Sequence, residues 1–249
     1  MFPKLFLLLL AAHMLGDYYL QSPRTAEKKR TRYPALLLHC LLYALPFALL
    51  LFLLPPQPHA YLLCAAAALL HWLIDSLKFL WERSASKKVP PAQAFLIDQG
   101  LHLICLLVLA YLMAVQGLSL RLPTAMTNVF LVTGMVPYSL FKWGCILLCI
   151  GKPSNIFIRQ SVALCRGKGT AESTDKGLRA GRYIGTIERL IILIFLAIEQ
   201  YSAIGLVLTA KSIARYEKIS KSQDFAEYYL LGTLLSTLCV ILFSLIQHL

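Results

Sequence analysis

The stretch HWLIDSLK, residues 71–78, puts a histidine, an aspartate and a lysine inside an apolar run, with YLLCAAAALL before it and FLWER after it. Roughly 20 apolar residues cross a bilayer, and this run is long enough. An ionisable side chain at that depth is costly and needs a partner or a task. The rest of the chain is of the same kind. Of its 249 residues 58% are hydrophobic and 14% charged, against about a quarter charged in a soluble domain. Composition therefore excludes a soluble globular enzyme and predicts an all-α fold, a polytopic transmembrane helical bundle with about 7–8 membrane helices.

Hydrophobic length predicts spans at about 4–21, 34–54, 60–81, 94–116 and 126–150, a helical stretch at about 183–216 and a last span at about 226–247. LFLLLLAA at 5–12 has the composition of a signal-peptide core, but the run continues through HMLGDYYLQS. It is expected to be an uncleaved first span. The formal charge of +12 does not point to nucleic acid, because the basic residues cluster in loops. Loops 22–33, 83–93 and 152–182 are basic, whereas PPQP at 55–58 has no charge and QGLSLRLPT at 116–124 has one arginine. The positive-inside rule puts the amino terminus outside and the basic loops in the cytoplasm. A single crossing at 183–216 would strand Lys211, Arg215, Lys218 and Lys221 outside. A helical hairpin turning near EQYSAIG returns them to the cytoplasm. IFIRQSVALCR is expected to lie as an interfacial helix. The expected organisation is a four-helix membrane bundle over 1–120 and, over 121–249, membrane helices with the basic loop and the hairpin, with no separate soluble domain. Seven cysteines form no CxxC pair, and Cys145 and Cys149, four apart, suit helix packing better than metal or disulfide chemistry.

Positions four apart share a helix face. His71 and Asp75 are so related, as are His13 and Asp17, with Gln21 a turn further, and Asp98 and His102. His39 stands in the second span. The charge-derived orientation ignores these residues, yet it sets all seven in one layer about 5–20 Å below the cytoplasmic face, by the 1.5 Å rise per residue. Imidazoles and carboxylates together suit zinc, manganese or iron. Seven ligands exceed one tetrahedral shell and fit two ions sharing a bridging aspartate. The expected ligands are His13, Asp17, His39, His71, Asp75, Asp98 and His102, with Gln21, Ser76 and Gln99 orienting them. Lys78 lies near the face of His71, and Lys142 at a similar depth in the fifth span; either can meet an anionic substrate or neutralise the site. Two other readings stay open: polar groups that glue helices together, and a proton or cation pathway.

LLAAHMLGDYYLQ, HWLIDSLK and FLIDQGLHL, with AGRYIGTIERLIIL, IGLVLTAKSIARY and FAEYYLLGTLLS in the carboxyl half, resemble an uncharacterised bacterial membrane family, domain of unknown function 3307. The resemblance implies a bacterial cytoplasmic (inner) membrane and no particular activity. The HxxxD elements at His13–Asp17 and His71–Asp75 are similar to those of membrane-bound metal-dependent hydrolases, which in turn resemble the all-helical zinc phospholipase C and P1-nuclease group. That group holds zinc with histidine and aspartate and cleaves phosphate esters. This chain departs from it in having DxxxH at Asp98–His102 where the group has HxxxE, and in an amino terminus with no sign of acting as a ligand.

The function expected is a membrane-embedded metal-dependent hydrolase of a phosphate ester on a lipid or amphiphile, working at the cytoplasmic side. One or two zinc ions would activate a water. Asp98 would take its proton, and Lys78 would meet the substrate anion. In the carboxyl half, Arg182, Lys211 and Arg215 are the candidate phosphate binders, with Glu188 or Glu227 to pair with them; the competing reading is simple anchoring to anionic membrane lipids. A homo-oligomer is compatible with the sequence. The alternatives are an ion- or proton-coupled transporter and a scaffold that recruits a partner through the 152–182 loop.

Overall fold

The computed structural model describes residues 1–84, 90–165 and 175–249, the side chains of 175–180 excepted; parts of the basic loops 83–93 and 152–182 therefore lie outside the described residues. Every regular element among the described residues is helical. The chain divides into two compact units, Met1–Leu148 with Leu249, and Cys149–His248.

In the first unit α1 (Phe2–Met14) runs on through a π-turn at Leu15–Tyr19, followed by a short α2 (Pro23–Lys28), then α3 (Tyr33–Leu50), α4 (Pro58–Ser84) and α5 (Pro91–Val115). Prolines stand in the first turns of α1, α2, α3 and α5, where the missing N–H costs nothing. Ser22 caps α2 by accepting the Thr25 N–H at 3.1 Å. Gly117, at φ +69°, ends α5: the Leu118 N–H reaches back to the Met113 carbonyl at 3.0 Å, a left-handed stop that glycine adopts without strain. α1 packs on α3 and α5, α3 on α4, and α4 on α5, which closes a four-helix ring. α1 is buried almost all round, with Leu5 and Leu7–Leu10 in the core, while α3, α4 and α5 turn apolar side chains such as Leu41, Leu62 and Ile104 outward. Leucine outside and ionisable groups inside is the arrangement a bilayer favours.

Three helices of this ring, α3, α4 and α5, and the last helix of the chain are long and apolar enough to cross a membrane. The expected span at 126–150 is instead two helices, α6 (Thr124–Thr133) and α7 (Pro137–Ile150), and α6 is bent by 98° from the segment Pro137–Cys165 that α7 begins. Gly134 takes φ +66°, and Pro137 then starts a new helix; together they outweigh the continuous hydropathy of the run.

In the second unit α8 (Lys152–Cys165), α9 (Asp175–Ala197), α10 (Tyr201–Ile213), α11 (Tyr216–Lys221) and α12 (Gln223–Ser244) follow, closed by a 3₁₀ turn at Leu245–His248. α9 and α10 pack on each other as a hairpin, and α12 lies against α8 and α9. The hairpin turns at 198–200, with Glu199, the first residue of EQYSAIG, at φ +59°. Arg189 holds this unit together. Its Nε donates to the Ile150 carbonyl at 2.7 Å, and its terminal nitrogens donate to Asn155 Oδ1 at 2.6 Å and Ser236 Oγ at 3.2 Å.

Candidate functional site

Each helix of the four-helix ring delivers ligand-type side chains to one interior point. α1 supplies His13 and its π-turn supplies Asp17; α3 supplies His39; α4 supplies His71 and Asp75; α5 supplies Asp98 and His102. All seven are buried, none more than 9% exposed. His39 Nε2 is the hub, 3.2 Å from Asp17 Oδ1, 3.5 Å from Asp75 Oδ2 and 3.2 Å from His71 Nε2. The i,i+4 pairs behave as their spacing predicts in α4 and α5: His71 Nε2 lies 3.8 Å from Asp75 Oδ2, and His102 Nδ1 3.9 Å from Asp98 Oδ1. In the first helix the π-turn intervenes. The Leu20 N–H donates to the Leu15 carbonyl, five residues back, at 2.8 Å, which changes the phase of Asp17 relative to an unbroken α-helix. Such turns recur at functional sites.

The imidazoles are set by their neighbours. His102 Nδ1 lies 2.8 Å from the Asp98 backbone carbonyl. A carbonyl only accepts, so Nδ1 carries the proton and Nε2 is left as a buried lone pair without a hydrogen-bond partner. This is the tautomer a metal requires. His13 Nδ1 shares a 3.0 Å hydrogen bond with the Tyr43 hydroxyl, and the Tyr43 ring stacks on His71 with centroids 3.5 Å apart and planes within 5°. Gln99 ties two carboxylates together: its Nε2 donates to Asp17 Oδ2 at 3.0 Å and to Asp98 Oδ2 at 3.2 Å, while its Oε1 accepts the Tyr18 hydroxyl at 2.7 Å.

Among the described residues two ammonium groups face the carboxylates. Lys78 donates to Asp98 Oδ2 at 3.0 Å, leaving Asp98 Oδ1 buried and without a hydrogen-bond partner. Lys29, from the end of α2, donates to Asp75 Oδ2 at 3.0 Å and lies 3.8 Å from Asp17 Oδ1. Burial works against its charge, but Asp75 and Asp17 more than offset that, and its ammonium is held above the ordinary lysine range.

Among the described residues three groups of donor atoms are close enough to share an ion: Asp17, His39 and His71; Asp75, Asp98 and His102; and Cys40, His71 and Asp75, with the atoms of each group within 4.8 Å of one another. Ligand atoms around one zinc stand roughly 3–4 Å apart, from bonds of about 2.0–2.3 Å, so small side-chain adjustments suffice.

The family model described as "Protein of unknown function (DUF3307)" matches residues 5–131. The chain belongs to that family. No curated protein and no solved structure matches it. The DUF3307 segment contains all seven ligand-type residues together with Lys29, Lys78 and Gln99.

The other candidates are distributed as follows. Within the DUF3307 segment Ser76 turns to Tyr33, the hydroxyls 3.4 Å apart, rather than to a site carboxylate, and Gln21 is half-buried beyond the π-turn. Outside it, Lys142 holds its ammonium over the Tyr138 ring, 5.1 Å from the centroid. In the second unit Arg182 is exposed. Lys211 pairs with Glu188 at 2.5 Å and donates to Thr233 Oγ1 at 3.1 Å, and Arg215 lies over Tyr229. Glu227 accepts from Gln223 at 3.0 Å. Sequence reasoning passed over Lys29, Tyr43 and Cys40. Tyr43 is four residues from His39, so helical spacing could have found it. Lys29 is one of several cations in EKKR, and nothing in the sequence marks it from its neighbours.

Proposed function

We propose that this DUF3307 protein is a membrane-embedded, metal-dependent hydrolase of a phosphate ester on a lipid or amphiphile, entered from the cytoplasmic side of a bacterial inner membrane. The observation that carries this reading is the meeting of four imidazoles and three carboxylates at one buried point, with the His102 Nε2 lone pair left without a hydrogen-bond partner. Two donor sets are assigned: Asp17, His39 and His71 for one ion, and Asp75 and His102 for a second, with Asp98 of that second group left uncoordinated. Imidazole with carboxylate suits zinc, with manganese or iron as the alternatives. Divalent ions so held would lower the pKa of a water and polarise a phosphoryl oxygen. The chain's own groups do the rest. Asp98 Oδ1 is the base, and Lys78, anchored on Oδ2 of the same carboxylate, neutralises the phosphate. Gln99 keeps Asp17 and Asp98 in fixed relation, and Tyr43 holds His13 and His71.

We assign about seven or eight membrane helices: α1 with its π-turn, α3, α4, α5, the bent α6–α7 pair, the two arms of the α9–α10 hairpin, and α12. The amino terminus is outside and the basic loops are cytoplasmic. Arg182, Lys211 and Arg215 meet anionic lipid at the inner face.

Purified protein should retain about one to two equivalents of transition metal, and zinc or manganese should support phosphatase or phosphodiesterase turnover of an amphiphilic ester, as two-ion sites do. His39→Ala and Asp75→Asn should each abolish both. Less than half an equivalent, with no turnover on metal addition, would remove the reading. Proton or solute flux in liposomes abolished by Asp75→Asn, without turnover, would replace it with a carrier.

A further inference from the structure

We propose that Lys29 is an internal counter-ion that competes with the divalent cation for the same carboxylate oxygens, so that loading the site releases Lys29 and the α2 segment that carries it. This rests on the metal reading above. Asp75 Oδ2 accepts from Lys29 Nζ at 3.0 Å and lies 3.5 Å from His39 Nε2; Asp17 Oδ1 lies 3.2 Å from His39 Nε2 and 3.8 Å from Lys29 Nζ. The oxygens that face the imidazoles are thus the oxygens that hold the ammonium. A zinc or manganese ion bound to them would stand about 2 Å away, too close to a fixed positive charge in a site shielded from water.

One of the two cations must leave, and the fold says which. The histidines and aspartates sit on packed helices. Lys29 follows a six-residue helix with no buried residue, on a flexible four-carbon stem. Lys78 is under no such pressure. It occupies only Oδ2 of Asp98 and leaves Oδ1, the base, clear. Two of the three carboxylate charges are therefore already offset before a metal arrives, and binding is an exchange rather than a simple addition. Lys29 sets the affinity, and it reports occupancy to the cytoplasmic surface through α2.

The test uses the full-length protein in detergent, stripped with a chelator and titrated with zinc or with manganese. Lys29→Met, which keeps the stem and removes the charge, should bind the first equivalent at least tenfold more tightly than the wild type. In the wild type, saturating metal should raise the rate at which an acetylating reagent modifies Lys29 at least threefold, read by mass spectrometry, with exposed Lys218 unchanged. The second readout needs no variant and decides the matter if Lys29→Met fails to fold. Equal affinities, or Lys29 acetylation indifferent to metal that is demonstrably bound, would overturn the exchange while leaving the metal reading intact. Absence of metal binding in both proteins would overturn both.

Discussion

At Gly16 an added β-carbon would stand 2.8 Å from Tyr43 Cδ2 and 3.1 Å from both the Tyr43 Cα and its carbonyl oxygen. The side chain could yield; the backbone of α3 cannot without moving the helix. Gly16→Ala should therefore lower stability by about 1–3 kcal/mol, the usual cost of overpacking, seen as a fall in the thermal midpoint in detergent. Gly100→Ala is the matched comparison. It is also in a helix, but nothing lies within 4 Å of its β-carbon, so helix propensity should raise stability by up to about 1 kcal/mol. The contact at Gly16 also brings Tyr43, and with it His13 and His71, to the π-turn that carries Asp17. Most residues of the cluster were legible because their cost in an apolar run drew attention to them. Lys29 was not, since a lysine in a basic loop needs no special explanation; only the fold takes it from the loop to Asp75.

Among the elements, the α9–α10 hairpin offers a clean separation of charge from packing. Glu188 and Lys211 face each other at 2.5 Å, 6% and 20% exposed. Lys211→Met should leave the carboxylate buried without its cation and cost about 3 kcal/mol. Adding Glu188→Gln should restore most of that loss, because the penalty lies in the orphaned charge rather than in a missing contact; denaturation of the three variants with the wild type closes the cycle. Charge logic found this hairpin, since four cations had to return to one side. Hydropathy ran straight through the break in 126–150, where Gly134 and Pro137 interrupt a run that is apolar throughout. The π-turn was out of reach from spacing alone. His13 and Asp17 are four apart, as on an ordinary helix, and the extra residue in that turn leaves no mark on the apolar pattern.

For the molecule as a whole, the orientation we propose predicts which side each loop faces. Cys165 ends α8 and is exposed. It should resist a membrane-impermeant maleimide in intact cells and react after permeabilisation, whereas a cysteine placed at Ser119 in a background lacking Cys165 should react in both. Labelling of Cys165 in intact cells would invert the arrangement. Membrane character, helical class and the meeting of the seven residues could all be read from the sequence, because each follows from apolar length, charge placement and the pitch of a helix. The two-unit division at 148 and the role of Arg189 could not, since both depend on contacts between distant segments. The burial of α1 has a consequence for synthesis. α1 leaves the ribosome before the helices that enclose it, and α5, one of its main neighbours, is completed only near residue 115. Until then Asp17 lacks Gln99 and His13 lacks the His102 ring 5.3 Å from it, so a chain stalled before α5 would carry the cluster unfinished, with only its partners from the earlier segments in place.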